Sequence, residues 1–155
     1  MKREPSREAD AEGDSRGIVT LAVGHRRYLE MAVDMALSYH EHDRRDVVLV
    51  ADAGIAQIAR SEYGSIFGDV VVLAPRFREG RAVKFGVVEA SPFDRALYVD
   101  ADCLIVGSLE EYWAELERFD VALVGELLGI EDERTHHGFS TGALMRQLEA
   151  HAYLI

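Results

Sequence analysis

Two aspartates stand one residue apart inside an otherwise apolar stretch of the sequence. In ALYVDADCLIVGSL, residues 96–109, Asp100 and Asp102 separate one apolar run from the next. Side chains i and i+2 of an extended chain point to the same side, roughly 6–7 Å apart. Two ionised carboxylates held so close repel each other unless a cation lies between them. Because Mg²⁺ and Mn²⁺ bind one or two carboxylates together with substrate phosphates, the pair predicts a metal site for a phosphate-containing ligand.

The plainer interpretation of the same residues is structural. An aspartate that follows a strand often caps a turn, so Asp100 could cap one while Asp102 is solvated. Cys103, the single cysteine, is interpreted as a small core residue rather than a reactive thiol. It cannot form an intramolecular disulfide, which fits a reducing, cytoplasmic setting.

Apolar runs alternate along the chain with segments of helical periodicity. The predicted strands are 17–23, 46–52, 69–75, 95–100 and 120–126, with a possible sixth at 139–145; the predicted helices are 26–42, 53–64, 80–91, 108–119 (capped by Ser108) and 146–155. Residues 127–138 are predicted to be largely loop. This alternation predicts an α/β fold with βαβ units and a parallel sheet covered by helices on both faces. Ligands of such sheets bind at the carboxyl ends of the strands, where the strand order reverses. Asp100 and Asp102 are expected at such an end.

Composition and charge narrow the classes of function. The 155 residues suit one domain, and the net charge of −11 argues against a surface that binds nucleic acid. An acidic protein that binds an anionic ligand needs a metal or a few placed basic groups. There is no apolar run of about 18 residues, so no membrane span is expected. Residues 1–16 are predicted to be a disordered tail without the apolar core of a signal peptide, and residues 17–155 the folded domain.

Four segments in order resemble GT-A-fold glycosyltransferases that use nucleotide sugars, above all the glycogenin- and galactinol-synthase-like group. FDRALYVDADCLIVGSLEEYW resembles their metal-binding segment, and GIVTLAVGHRRYLEMAVDMALSYHEHDRRDVVLVAD their first strand, a following tyrosine, a helix and a second strand. RAVKFGVVEASPFDRALYVDAD places Lys84 sixteen residues before Asp100, as a lysine of the group lies near the sugar nucleotide. FSTGALM resembles the strand that lines the donor-sugar pocket. The resemblance covers about residues 17–145.

The resemblance implies a Rossmann-like, mostly parallel GT-A sheet and a hexosyltransferase-type enzyme with a UDP-sugar donor. Asp100 and Asp102 would bind Mn²⁺ or Mg²⁺, which would stabilise negative charge on the departing nucleoside diphosphate. The other residues that it assigns to the nucleotide sugar are Thr20, Ala22 and Tyr28 beside the base, Lys84 at the diphosphate or sugar hydroxyls, Ala101 between the aspartates, and Ser140, Thr141 and Gly142 at the sugar. Apart from the resemblance, Thr20 on a buried strand is interpreted as structural, whereas Tyr28 could equally well be a core residue and Lys84 could equally well be solvated.

The sequence also departs from the group. Ser140 stands where the group has asparagine, and the later histidine motif that completes the metal shell is missing. His136, His137 and His151 are the remaining candidates for a third ligand, although each is more readily interpreted as a surface or loop histidine. The acceptor-binding part is expected to be missing as well. The chain is therefore predicted to be a minimal donor domain, a truncated product, or half of a two-chain enzyme that needs a partner chain or a second copy.

Other functions stay open at this point. A nucleotide-sugar-binding module without catalysis would keep the pocket but not the transfer. A haloacid-dehalogenase-type phosphatase would place its two aspartates after the first strand rather than the fourth. A nucleotidyltransferase would need a glycine-rich basic loop after the first strand, where this chain has only Gly24, Arg26 and Arg27. The acceptor is not indicated by the sequence.

Overall fold

The computed structural model describes residues 15–77, 83–120, 135–136 and 139–140. The elements in chain order are β1 (Arg16–Ala22), α1 (Arg26–His40), β2 (Val47–Ala51), α2 (Ala53–Glu62), β3 (Asp69–Val72), a 3₁₀ turn (Pro75–Phe77), α3 (Val83–Ala90), β4 (Arg95–Tyr98), α4 (Glu110–Leu116), β5 (Thr135–His136) and β6 (Phe139–Ser140). The chain divides into two compact units, residues 1–120 and 121–155. The first unit holds all of the elements from β1 to α4.

The first unit is built on a four-stranded parallel sheet in the order β3-β2-β1-β4. The chain moves outward from β1 to β2 and β3, and then returns to place β4 on the other side of β1. The strand order therefore reverses between β1 and β4, which pair from Arg16↔Arg95 to Val19↔Tyr98. The α/β class and the parallel sheet predicted from the sequence are confirmed, and the arrangement is consistent with a Rossmann-like fold.

Helices cover both faces of this sheet. One face buries side chains of α1, α2 and α4, including Leu29, Ile55 and Trp113, against alternate strand residues such as Ile18. The opposite face buries Val87 of α3 together with strand residues and Leu73; its members are Val19, Val50, Leu73 and Val87. Burial on both faces explains why the strands are almost continuously apolar in sequence.

Several strand and helix boundaries differ from those predicted from the sequence. The fourth strand ends at Tyr98 rather than at residue 100, and α4 begins at Glu110 after the uncapped Leu109. Ser108 still accepts a hydrogen bond from the Glu110 backbone N–H at 3.2 Å, but it lies outside the helix. Of the predicted fifth strand, 120–126, the described residues include Asp120 alone. The predicted last helix, 146–155, lies wholly outside the described residues.

The second unit contains a short antiparallel ribbon, in which Thr135 pairs with Ser140 and His136 with Phe139. The prediction of a loop was wrong for residues 135–136, which form β5. The predicted strand at 139–145 is described only for Phe139–Ser140. None of the helices that the structure describes is long and apolar enough to cross a membrane.

Candidate functional site

Three side chains meet just beyond the carboxyl end of β4. The Lys84 ammonium donates to both carboxylate oxygens of Asp100, at 2.8 Å to Oδ1 and 3.0 Å to Oδ2. The Tyr98 hydroxyl donates to Asp100 Oδ1 at 2.5 Å. The Lys84 nitrogen also lies 5.5 Å from the centroid of the Tyr98 ring, within the range of a cation–π contact. We call Lys84, Tyr98 and Asp100 the strand-end cluster.

The electrostatics of the cluster favour an ionised carboxylate. Burial acts to raise the pKa of Asp100, but hydrogen bonds from Lys84 and Tyr98 and the positive charge of Lys84 outweigh it. The pKa of Asp100 therefore lies below its ordinary value. Burial, the hydrogen bond to Asp100 and the charges of Asp100 and Asp102 raise the pKa of the Tyr98 phenol. At neutral pH the Asp100 carboxylate thus accepts a hydrogen bond from a protonated Tyr98 phenol.

Asp100 and Asp102 do not lie on an extended chain, which corrects the expectation drawn from their spacing. The Cys103 backbone N–H donates to the Asp100 carbonyl at 3.1 Å, and Ala101 and Asp102 form the turn between them. Ala101 is buried, whereas Asp102 is exposed. Within the described residues Asp102 makes no side-chain hydrogen bond or ion pair. The two carboxylates thus share a turn, and Asp102 faces solvent.

The prediction that Cys103 is a core residue was wrong. Its side chain is exposed because the turn carries it away from the sheet. Partial burial and the negative charges of Asp102 and Asp100 raise the pKa of the Cys103 thiol. A thiol with a raised pKa is a poor nucleophile at neutral pH, so the interpretation of Cys103 as unreactive agrees with its surroundings.

Helix α3 brings Lys84 to Asp100. Gly86 allows this helix to lie close to the segment that follows β3. A Cβ on Gly86 would come within 2.5 Å of Leu73 Cδ1 and 2.9 Å of Phe77 Cβ. Val87, the next residue, is buried against the sheet with Val19 and Val50. Lys84 lies in the first turn of the same helix, and its side chain is 63% exposed. The packing of α3 therefore sets the position of Lys84.

The residues predicted near the base occupy different environments. Thr20 and Ala22 are fully buried on the sheet face that α1 covers, so neither side chain reaches solvent in this structure. Thr20 Oγ1 has no hydrogen-bond partner within the described part of the chain. Tyr28 is 51% exposed, so the alternative that it is a core residue is wrong. Of the three, Tyr28 is the side chain that an outside ligand can reach.

Asp52 occupies the carboxyl end of β2, on the other side of β1. Its Oδ1 accepts hydrogen bonds from the backbone N–H groups of Gly54 at 2.9 Å and Ile55 at 3.0 Å, which caps α2. Its Oδ2 accepts from the Gly24 backbone N–H at 2.6 Å. Gly24 has a φ of 81°, a left-handed conformation that favours glycine. Asp52 thus ties the turn after β1 to the start of α2.

The predicted donor-sugar residues lie mostly beyond what the structure describes. Ser140 is placed in β6 by its backbone, and Thr141 and Gly142 are outside the described residues. Of the candidate third ligands, the backbone of His136 lies in β5, while His137 and His151 are not described. Among the described residues there is no group of three or more His, Cys, Asp or Glu side chains that could hold a metal.

Tyr98 is the member of the site that the sequence did not indicate. An aromatic residue at the end of an apolar run is typical of a strand, and so it was predicted only as part of the fourth strand. The one available signal is its spacing, since Tyr98 precedes Asp100 by two residues.

A comparison with protein-family models and a comparison with curated proteins both find no match to this chain.

Proposed function

We propose that this chain carries the donor site of a metal-dependent glycosyltransferase with a GT-A-type fold, which takes a nucleotide sugar, with UDP-sugar as the proposed donor. One observation carries the proposal: the strand-end cluster lies at the carboxyl end of β4 beside β1, where the strand order reverses. That position is where parallel α/β sheets bind nucleotides. The acceptor stays unassigned.

The donor set near the cluster fits Mn²⁺ or Mg²⁺. Both cations prefer carboxylate oxygens and keep sites for ligand phosphates and water. Asp100 is ionised, and Asp102 is exposed and makes no side-chain hydrogen bond or ion pair within the described residues. Asp100 and Asp102 are therefore the proposed metal ligands. When bound, the cation would act as a Lewis acid that stabilises negative charge on the diphosphate.

Three further side chains have proposed roles in binding the nucleotide sugar or in orienting Asp100. The Lys84 ammonium is the proposed contact for the diphosphate, and an acidic protein of net charge −11 needs such a placed cation. The Tyr98 hydroxyl orients Asp100 through its hydrogen bond to Oδ1. Tyr28, with half of its surface exposed, offers a face on which a base can stack. A cytoplasmic nucleotide-sugar enzyme is in keeping with the single reduced Cys103.

One observation favours a second candidate, a nucleotide-sugar-binding module without turnover, either alone or as half of a two-chain enzyme. The described residues supply two carboxylates but no third protein ligand for a metal. A module of this kind would bind UDP without hydrolysing or transferring the sugar. A nucleotidyltransferase is less well supported, because the turn after β1 contains the single glycine Gly24 rather than a glycine-rich basic loop.

Calorimetric titration of UDP tests the proposal, with Mn²⁺ and with EDTA. We expect the variant Asp100→Asn/Asp102→Asn to lose metal-dependent binding by at least about 100-fold, since even outer-shell changes at metal sites cost 10–100-fold. The matched control is Asp34→Asn/Glu111→Gln, which removes two exposed carboxylates elsewhere and should bind like the wild type. UDP binding that survives in the double variant, or no binding in the wild type, would contradict the proposal. Hydrolysis of a UDP-sugar then separates an enzyme from a binding module.

A further inference from the structure

The two carboxylate oxygens of Asp100 differ in the hydrogen-bond donors that they contact. Oδ1 accepts hydrogen bonds from both Tyr98 and Lys84, whereas Oδ2 accepts from Lys84 at 3.0 Å and from no other described residue. Movement of the Lys84 ammonium would therefore leave Oδ1 with its phenol donor and Oδ2 without a donor. Oδ2 is the oxygen that a second cation could then take.

The place that Lys84 occupies suits a cation. An ionised carboxylate lies on one side of the ammonium, and the electron-rich face of the Tyr98 ring lies 5.5 Å from it. The pair is nevertheless weakly held, because the side chains of Lys84 and Asp100 are 63% and 47% exposed. Exposed ion pairs of this kind are easily exchanged for other partners. A phosphate is a strong competitor for a lysine ammonium.

We propose that Lys84 is a built-in competitor of the divalent cation at Asp100, so that the cation binds tightly only together with a phosphate ligand that draws Lys84 away. This inference rests on the proposed function, because it assumes that Asp100 is a metal ligand. Two positive charges cannot share Oδ2 without repulsion. A diphosphate removes the conflict by accepting the ammonium, and by linkage the cation then raises the affinity for the diphosphate by the same factor.

Tyr98 acts in this scheme as a positioning residue. Its hydroxyl stays on Oδ1 when Lys84 leaves and so keeps the carboxylate turned with Oδ2 outward. The change Tyr98→Phe removes this hydrogen bond and leaves the Lys84 contact with Oδ2 in place. It should therefore not reproduce the effect of removing Lys84.

The test measures Mn²⁺ binding by electron paramagnetic resonance of the unbound ion, on the full chain, with and without UDP. We expect Lys84→Met to bind Mn²⁺ alone about fivefold more tightly than the wild type, the factor that corresponds to losing an exposed ion pair. UDP should tighten Mn²⁺ binding in the wild type and do so less in Lys84→Met. Lys84→Arg keeps a positive charge at this position and should therefore bind Mn²⁺ alone less tightly than Lys84→Met does.

The control Arg118→Met removes one exposed positive charge far along the chain, on a side chain that is 68% exposed. It should leave Mn²⁺ binding unchanged and so exclude an effect of net charge. Equal Mn²⁺ affinity in wild type and Lys84→Met would overturn the role of Lys84, while UDP–Mn²⁺ binding by the wild type would leave the proposed function intact. If the wild type binds neither Mn²⁺ nor UDP, both proposals fail. Circular dichroism confirms that each variant is folded.

Discussion

Two aspartates lie beyond the carboxyl ends of the two strands that flank β1, and the chain uses them differently. Within the described part of the chain, Asp52, after β2, accepts hydrogen bonds from the backbone N–H groups of Gly24, Gly54 and Ile55. Asp100, after β4, accepts from the side chains of Lys84 and Tyr98. A carboxylate held by backbone groups is fixed with the fold. One held by exposed side chains can exchange its partners for a ligand.

The difference follows from what comes next in the chain. Helix α2 begins one residue after Asp52, so the unpaired N–H groups of its first turn lie beside the carboxylate. After Asp100 the chain makes a turn, and no helix begins until Glu110. The Asp100 carboxylate therefore finds its partners on another element, α3. The same residue type thus builds a helix cap at one strand end and a partly exposed ion pair at the other.

The largest expected effect is on stability. Asp52→Ala should lower the free energy of unfolding by about 2–3 kcal/mol, because it removes a helix cap and the bond to Gly24 together. Asp100→Ala should lower it by less than about 1 kcal/mol, since its ion pair is exposed. Urea denaturation followed by circular dichroism measures both. Equal losses for the two variants would show that Asp100 is as structural as Asp52, and the contrast would be lost.

The second effect tests whether α3 packing holds the strand-end cluster together. Gly86→Ala should cost about 1–2 kcal/mol of stability, because overpacking against Leu73 and Phe77 outweighs the better helix propensity of alanine. The displaced helix should also weaken the contact of Lys84 with Asp100. Urea denaturation gives the first quantity. Binding of Mn²⁺ without UDP gives the second, because the proposed competition predicts tighter binding as the contact of Lys84 with Asp100 weakens.

The control for this change is Gly107→Ala, because a Cβ at Gly107 meets no atom within 4 Å. It should leave both stability and binding close to the wild type. A Gly86→Ala variant that is as stable as the wild type would mean that α3 can shift without cost. Lys84 would then not be positioned by close packing.

The sequence predicted the fold better than it predicted the geometry of the site. Apolar runs identified β1 to β4 and the helices between them, because strands buried on both faces must be apolar throughout. The end of β4 was not predictable, since it depends on the register with β1, whose pairing stops at Val19↔Tyr98. The turn at Asp100 then exposes Cys103, which the sequence predicted to lie in the core.

The apolar residues that follow Asp102 show that composition alone does not predict burial at this point of the chain. Leu104 and Val106 are 65% and 90% exposed, and Cys103 is exposed as well, although residues of these types are usually buried. Asp100 and Asp102 were identified because acids inside apolar sequence are unusual. Tyr98 was missed because its contact with Asp100 exists only in three dimensions, as does that between Lys84 and Asp100.

The smallest effect concerns the pKa of Asp100. Burial acts to raise this pKa, and the hydrogen bonds from Lys84 and Tyr98 together with the Lys84 charge lower it below its ordinary value. Lys84→Met should therefore raise the pKa of Asp100, because burial is then opposed by Tyr98 alone. Carboxyl carbon NMR titration measures the change, with Asp100→Asn to assign the signal. An unchanged pKa in Lys84→Met would mean that the ammonium does not hold the carboxylate in solution.

The same shift links the cluster to stability with a definite sign. Because the folded-state pKa of Asp100 is lowered, its contribution to stability is present above the unfolded pKa of about 4 and is lost as the pH falls through the folded value. The wild type should therefore exceed Asp100→Asn in stability near pH 7 by less than about 1 kcal/mol, and this margin should vanish at lower pH. A margin that instead grows on acidification would contradict the ion pair. Since that margin is small, breaking the pair for a ligand costs the fold little, which distinguishes Asp100 from Asp52.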